Sequence, residues 1–135
     1  MIKEDYVSFE LAKLLKEKGF DEPCWFGYNP IGEFRRHYSE PAKSSPCYET
    51  ACPILQMTMK WLREVHNLHI MVNCIGKVNY DPIVQRFDGK DFEIEGVKVG
   101  TTRHINGKWE NVRRGFKTYE ESCEAAIKYC LEHLI

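Results

Sequence analysis

The last stretch of the chain constrains the fold more than any other. Thr118 and Glu121 stand three residues apart, the spacing of a capping box, in which a hydroxyl and a carboxylate satisfy N–H groups that a helix start leaves unpaired. Tyr119, Cys123, Ile127, Cys130, Leu131 and Leu134 then recur with the helical period and form one continuous apolar stripe. A helix with one apolar face must bury that face on another element. The segment before it supplies strands for the purpose. Between Gly76 and Gly115 the strand candidates are Ile83–Phe87, Asp91–Ile94, Val97–Ile105 and Lys108–Arg113. Asp88-Gly89 and Asn106-Gly107 are dipeptides that tight hairpin turns favour, and Glu95-Gly96 is a third turn candidate. The pattern predicts an antiparallel meander with the C-terminal helix packed on it.

Two more helices are marked. Ser8 is a cap for a helix whose apolar residues are Leu11, Leu14 and Leu15, with Glu10 at the positive end of the dipole. Gly19 is its left-handed stop, and Phe20 is placed to fold back on the last turn. A second helix starts at Pro53 and runs to about His66, with Leu55, Met59, Leu62 and Val65 as its stripe and Trp61 alongside. Asn67 is a left-handed stop, and Leu68, Ile70, Val72 and Cys74 then alternate as a half-buried strand. Between these helices, Cys24–Tyr28 and Glu33–Tyr38 read as a hairpin around Asn29-Pro30 and Gly32. Ser39–Pro46 reads as a surface loop.

At 135 residues the chain is expected to form a single domain, residues 1–135, with one core. A formal net charge of −1 gives no overall attraction to nucleic acid or to an anionic membrane. No stretch reaches the ~18 apolar residues of a membrane span, and Met1–Asp5 carries acids where a secretory signal has its apolar core. A cytoplasmic protein is therefore expected, with no membrane partner. In that compartment the six cysteines are expected to be reduced thiols, Cys123 and Cys130 serving as small core residues.

Candidate chemistry is sparse. Cys47, Cys52, His66 and His69 lie near a zinc-finger spacing, but the two histidines are one residue too close, and they fall on different elements. His66 equally suits the negative end of a helix. No P-loop, G-x-S-x-G or H-E-x-x-H is present, so no catalytic residue and no cofactor is assigned. A basic run is more distinctive: Arg103, Lys108, Arg113, Arg114 and Lys117 stand against Glu110 alone, with Trp109 among them. A basic, aromatic hairpin is one way to hold a phosphate backbone and stack on bases. The other reading is a solvated face. Trp25, Phe26, Tyr28, Phe34, Tyr38 and Tyr48 crowd a third region, where any exposed member would mark a protein contact.

Ser8–Asp21, Leu55–His66 and Thr118–Leu131 together resemble small uncharacterised proteins of phages, prophages and mobile elements of gut Bacteroidetes. The resemblance covers the three helices and the strand after the second. It implies an intracellular protein of phage or mobile-element origin and transfers no activity and no site residue.

The sequence thus predicts an α+β fold, an antiparallel sheet with three helices mainly packed on one face, in the order α-β-β-α-β-β-β-β-α. The leading functional expectation is a non-catalytic interaction module, with a protein partner or self-association. The alternatives are a nucleic-acid binder using residues 103–117 and a small metalloprotein or hydrolase.

Overall fold

The computed structural model describes residues 1–38, 40–42, 49–75, 79–86, 95–98, 103–105, 108–110 and 116–135. They form an α+β protein in the order α1 (Phe9–Glu17), β1 (Phe26–Tyr28), β2 (Phe34–Arg36), β3 (Thr50–Ala51), α2 (Leu55–His66), β4 (Leu68–Ile75), β5 (Asn79–Arg86), β6 (Glu95–Lys98), β7 (Arg103–Ile105), β8 (Lys108–Glu110) and α3 (Tyr119–Tyr129). Every strand pairing is antiparallel. The strands divide among three sheets, β2-β1-β3, β4-β5-β6 and β7-β8, where the sequence suggested one. β4-β5-β6 and β7-β8 pair neighbours in sequence, whereas β3 returns past β2 to pair with β1. The chain resolves into two compact units, Met1–Thr58 with Ile135, and Met59–Leu134, and the boundary falls inside α2.

In the first unit, α1 is bounded as its sequence requires. The Ser8 hydroxyl accepts from the Leu11 N–H at 3.3 Å. At the other end Gly19 has φ +90°, its N–H reaches Lys16 O, and the Phe20 N–H reaches Leu15 O at 2.9 Å. Those two bonds make a Schellman stop, and Phe20 is buried. Leu11 and Leu15 carry the buried face of α1, which packs against β3. The segment before α1 runs beside the start of α2: Tyr6 pairs with Ile54, Val7 N–H bonds Pro53 O, and Leu55 N–H bonds Asp5 O. This pairing holds Pro53 and Ile54 extended, so α2 begins at Leu55 rather than at Pro53. Leu55, Met59, Trp61 and Leu62 are buried as expected, but Val65 is 59% exposed and Thr58 is fully buried. Thr58 tolerates burial because its hydroxyl donates to Ile54 O at 3.0 Å.

In the second unit, Asn67 at φ 56° ends α2 and turns the chain directly into β4. β4 and β5 pair from Leu68↔Arg86 to Ile75↔Asn79. Glu95-Gly96 lies within β6, paired with Arg86 and Gln85, and is not a turn. The turn pairs Asp88-Gly89 and Asn106-Gly107 and the strand Asp91–Ile94 lie outside the described residues, although the Ile105↔Lys108 pairing leaves just two residues between β7 and β8. Val97–Ile105, read as one strand, is represented by β6 and β7. α3 packs against β4 and β5. The Thr118 hydroxyl accepts from the Glu121 N–H at 3.1 Å, and Cys123, Ile127, Cys130 and Leu131 are completely buried. A π-type turn, Cys130–Leu134, extends α3, and the Arg86 guanidinium holds it by donating to Leu134 O at 3.0 Å.

Thr118→Ala should lower stability by about 1 kcal/mol, seen as a lower urea midpoint with unchanged slope. Val65→Ala, at an exposed position, should stay within about 0.5 kcal/mol of the parent. Equal losses in the two variants would contradict the assigned cap and stripe.

Candidate functional site

The aromatic residues of the first unit are organised by the β1–β2 hairpin. Asn29-Pro30-Ile31-Gly32 closes it. Gly32 N–H bonds Asn29 O, and the Asn29 side-chain oxygen accepts from both Ile31 and Glu33 N–H groups. Gly32 has φ +87°, which a residue with a Cβ adopts only at a cost. The turn sets the register Tyr28↔Phe34 and Phe26↔Arg36. Phe26, Tyr28, Phe34 and Arg36 therefore share one face. Phe26 and Phe34 stack at 4.9 Å, and Tyr6 meets both, at 4.6 and 5.3 Å. Phe9 meets Tyr28 at 5.2 Å, and the Tyr28 hydroxyl donates to Val7 O at 2.7 Å.

The inner rings of this face are half-buried, but its outer row is open. Phe34 is 46% exposed and Tyr38 is 82% exposed. Arg36 lies between them, its guanidinium carbon 5.1 Å from the Tyr38 ring and 6.0 Å from Phe26. Among the described residues no carboxylate pairs with Arg36. On the opposite face His37 Nε2 meets Glu49 Oε1 at 2.8 Å and ties the end of β2 to the residue before β3. Sequence reading singled out the rings but missed Arg36. The signal available was the spacing of Phe34 and Arg36, two residues apart, which on a strand means one face.

The basic segment is only partly described. Arg103 stands opposite Glu110, His104 opposite Trp109, and Ile105 opposite Lys108. Positions 103, 105, 108 and 110 thus fall on one face of the ribbon, and 104 and 109 on the other. Lys117 is exposed just before α3, and Arg113 and Arg114 lie outside the described residues.

Of the metal set Cys47, Cys52, His66 and His69, the last three are among the described residues. Cys47 lies outside them. Cys52 is buried, its thiol directed at Val7 O at 3.5 Å. His66 packs edge-on against Trp61 at 4.7 Å, with Nε2 buried and without a hydrogen-bond partner among the described residues. His69 is half-buried on β4, opposite Gln85. No three His, Cys, Asp or Glu side chains among the described residues gather as a metal site would require. Two of the described thiols are held away from their reactive form. Burial pushes the Cys24 thiol up to about 11 and the Cys130 thiol up to about 12, the latter despite the nearby Arg86. Cys74 is an exposed thiol.

The site is thus a solvent-facing aromatic and cationic edge of a small sheet. No helix among the described residues is long and apolar enough to cross a membrane. No protein-family model matches the chain, and comparison with curated proteins and with solved structures finds no match.

Two outcomes follow from these environments. Thiol-specific labelling of the native protein should lose one fast equivalent in Cys74→Ser, whereas Cys24 and Cys130 should react only after denaturation; equal rates for all three would contradict their burial. Burial also lowers the His66 pKa below its ordinary 6.5, outweighing the pull of the helix C-terminus on a proton. The unfolded chain therefore takes up the proton first as pH falls. The stability linked to neutral His66 is fully present above 6.5 and is lost as pH drops from there towards the lowered value. The urea midpoint should fall more steeply between pH 7.5 and 5.5 in the parent than in His66→Phe, pH values chosen roughly to bracket the ordinary imidazole range. Parallel profiles would contradict the burial of this imidazole.

Proposed function

We propose that the chain is a non-catalytic protein-interaction module, of phage or mobile-element origin and acting in the cytoplasm, whose contact surface is the outer row Phe34, Arg36 and Tyr38. One observation carries this reading: the exposed Phe34 and Tyr38 rings flank the Arg36 guanidinium at the end of the outer strand, and no carboxylate among the described residues pairs with it. Aromatic residues and arginine are the side chains that concentrate binding energy at protein interfaces. The inner rings hold this row from behind, so less side-chain entropy remains to be lost on binding. The proposed origin rests on the resemblance of the three helical segments alone.

The nucleic-acid alternative draws less support from the β7–β8 ribbon. Its register divides the basic positions 103 and 108 from Trp109 and sets Glu110 opposite Arg103. Phosphate contact and base stacking would then fall on different faces.

Photo-crosslinking tests the reading directly. Benzoylphenylalanine in place of Tyr38 should give a discrete protein adduct in the native cell. The same group in place of Val65, which is also exposed, should not. Equal labelling from the two positions, or none from position 38, would overturn the assignment.

A further inference from the structure

We propose that the open edge of β2 binds an extended acidic segment of a partner protein by strand addition. This inference rests on the reading of the hairpin as a contact surface and names how that surface is used. The sheet order is β2-β1-β3, so β2 is an edge strand. The phase of its hydrogen bonds is fixed at both ends. His37 N–H bonds Trp25 O at 2.7 Å, and Asn29 N–H bonds Glu33 O at 3.1 Å. In an antiparallel ladder the residues that exchange bonds alternate, so Glu33, Arg35 and His37 face β1. The N–H and C=O groups of Phe34 and Arg36 then point away from the sheet. Among the described residues no strand pairs with that side.

The side chains at this edge select the occupant. Phe34 and Arg36 share one face, the Tyr38 ring lies 5.1 Å from the Arg36 guanidinium carbon, and all three are exposed. A strand added here would place alternate residues beside them: an apolar residue next to Phe34 and, two positions away, a carboxylate next to Arg36. Arg35, also exposed, adds a second positive charge, and its contact with Glu33 is long, at 3.5 Å between exposed groups. A second copy of the chain would bring Arg35 and Arg36 against the same two cations, which disfavours edge-to-edge self-pairing. An acidic partner meets no such penalty. The three residues of β2 set the footprint, because the Gly32 turn bounds one end.

Strand addition, and not mere charge attraction, is tested with the full chain and a fluorescein-labelled peptide. The probe is a heptapeptide of alternating threonine and valine, carrying a central phenylalanine and a glutamate two positions on. Fluorescence anisotropy should show saturable binding. Replacing the glutamate by lysine should weaken it at least about tenfold, because like charges are then opposed. Arg36→Glu should reverse that preference. Methylating the backbone nitrogen of the glutamate, or that of the residue after it, should weaken binding comparably in at least one case, because one of two successive backbone donors faces β2 and is lost. No binding of the glutamate peptide, equal binding of the two charge variants, or indifference to both methylations would each overturn the proposal. A Tyr38 photo-adduct that persists beside such a result would leave the contact surface standing and remove strand addition alone. Loss of both would remove the contact surface as well.

Discussion

A Cβ at position 27 would lie 3.2 Å from both the Ala42 Cβ and the Thr50 carbonyl oxygen, and 3.3 Å from the Glu49 side chain. Gly27 is the centre of the first sheet, opposite Arg35 on β2 and Ala51 on β3. Because it has no side chain, Ala42, Glu49 and Thr50 close over one face of β1. The rings of Phe26 and Tyr28 then occupy the other face, where Tyr6, Phe9 and Phe34 meet them. The same closeness draws Glu49 within reach of His37, which pins the far end of β2. The placement of the outer row thus follows from one small residue in the middle strand. Phe34 and Tyr38 are left at the edge because the ring face is already filled behind them.

The second unit is built differently. A capped helix lays a fully buried stripe on β4 and β5, and Arg86 secures its last turn. Pro82 sits on β5 one residue beyond the reach of β6, whose pairing ends at Ile83↔Lys98. The neighbouring Tyr80 exchanges bonds with Phe116 on that same side of β5, so the donor that proline lacks falls between two paired stretches. The buried thiols of Cys123 and Cys130 behave as small apolar groups. Burial pushes the Cys130 thiol up to about 12, the opposite of what nucleophilic catalysis requires of a cysteine.

Local chemistry was legible where one residue decides one bond. Ser8, Gly19, Asn67 and Thr118 each act as their side chains dictate, and Asn29-Pro30 with Gly32 closes the expected hairpin. Features set by distant partners were not legible. The start of α2 moved because Tyr6 pairs with Ile54, a contact between residues far apart in sequence. Thr58 took a buried place that pattern reading reserved for apolar residues, because a bond within its own helix satisfies its hydroxyl. The two-residue β3 was too short to leave a periodic signal. The aromatic crowding of the candidate site was visible in the sequence. The role of Arg36 was not, since it depends on which backbone groups β1 leaves unpaired.

Among the described residues β2 is an open edge with a fixed phase. Residue-resolved amide hydrogen exchange of the isolated protein tests it most directly, because exchange reports the pairing of each N–H group. The amides of Arg35 and His37 should be protected by β1, while those of Phe34 and Arg36 exchange close to the rates of an unfolded chain. Protection of Phe34 and Arg36 equal to that of Arg35 would mean that the edge is already covered and β2 is not open.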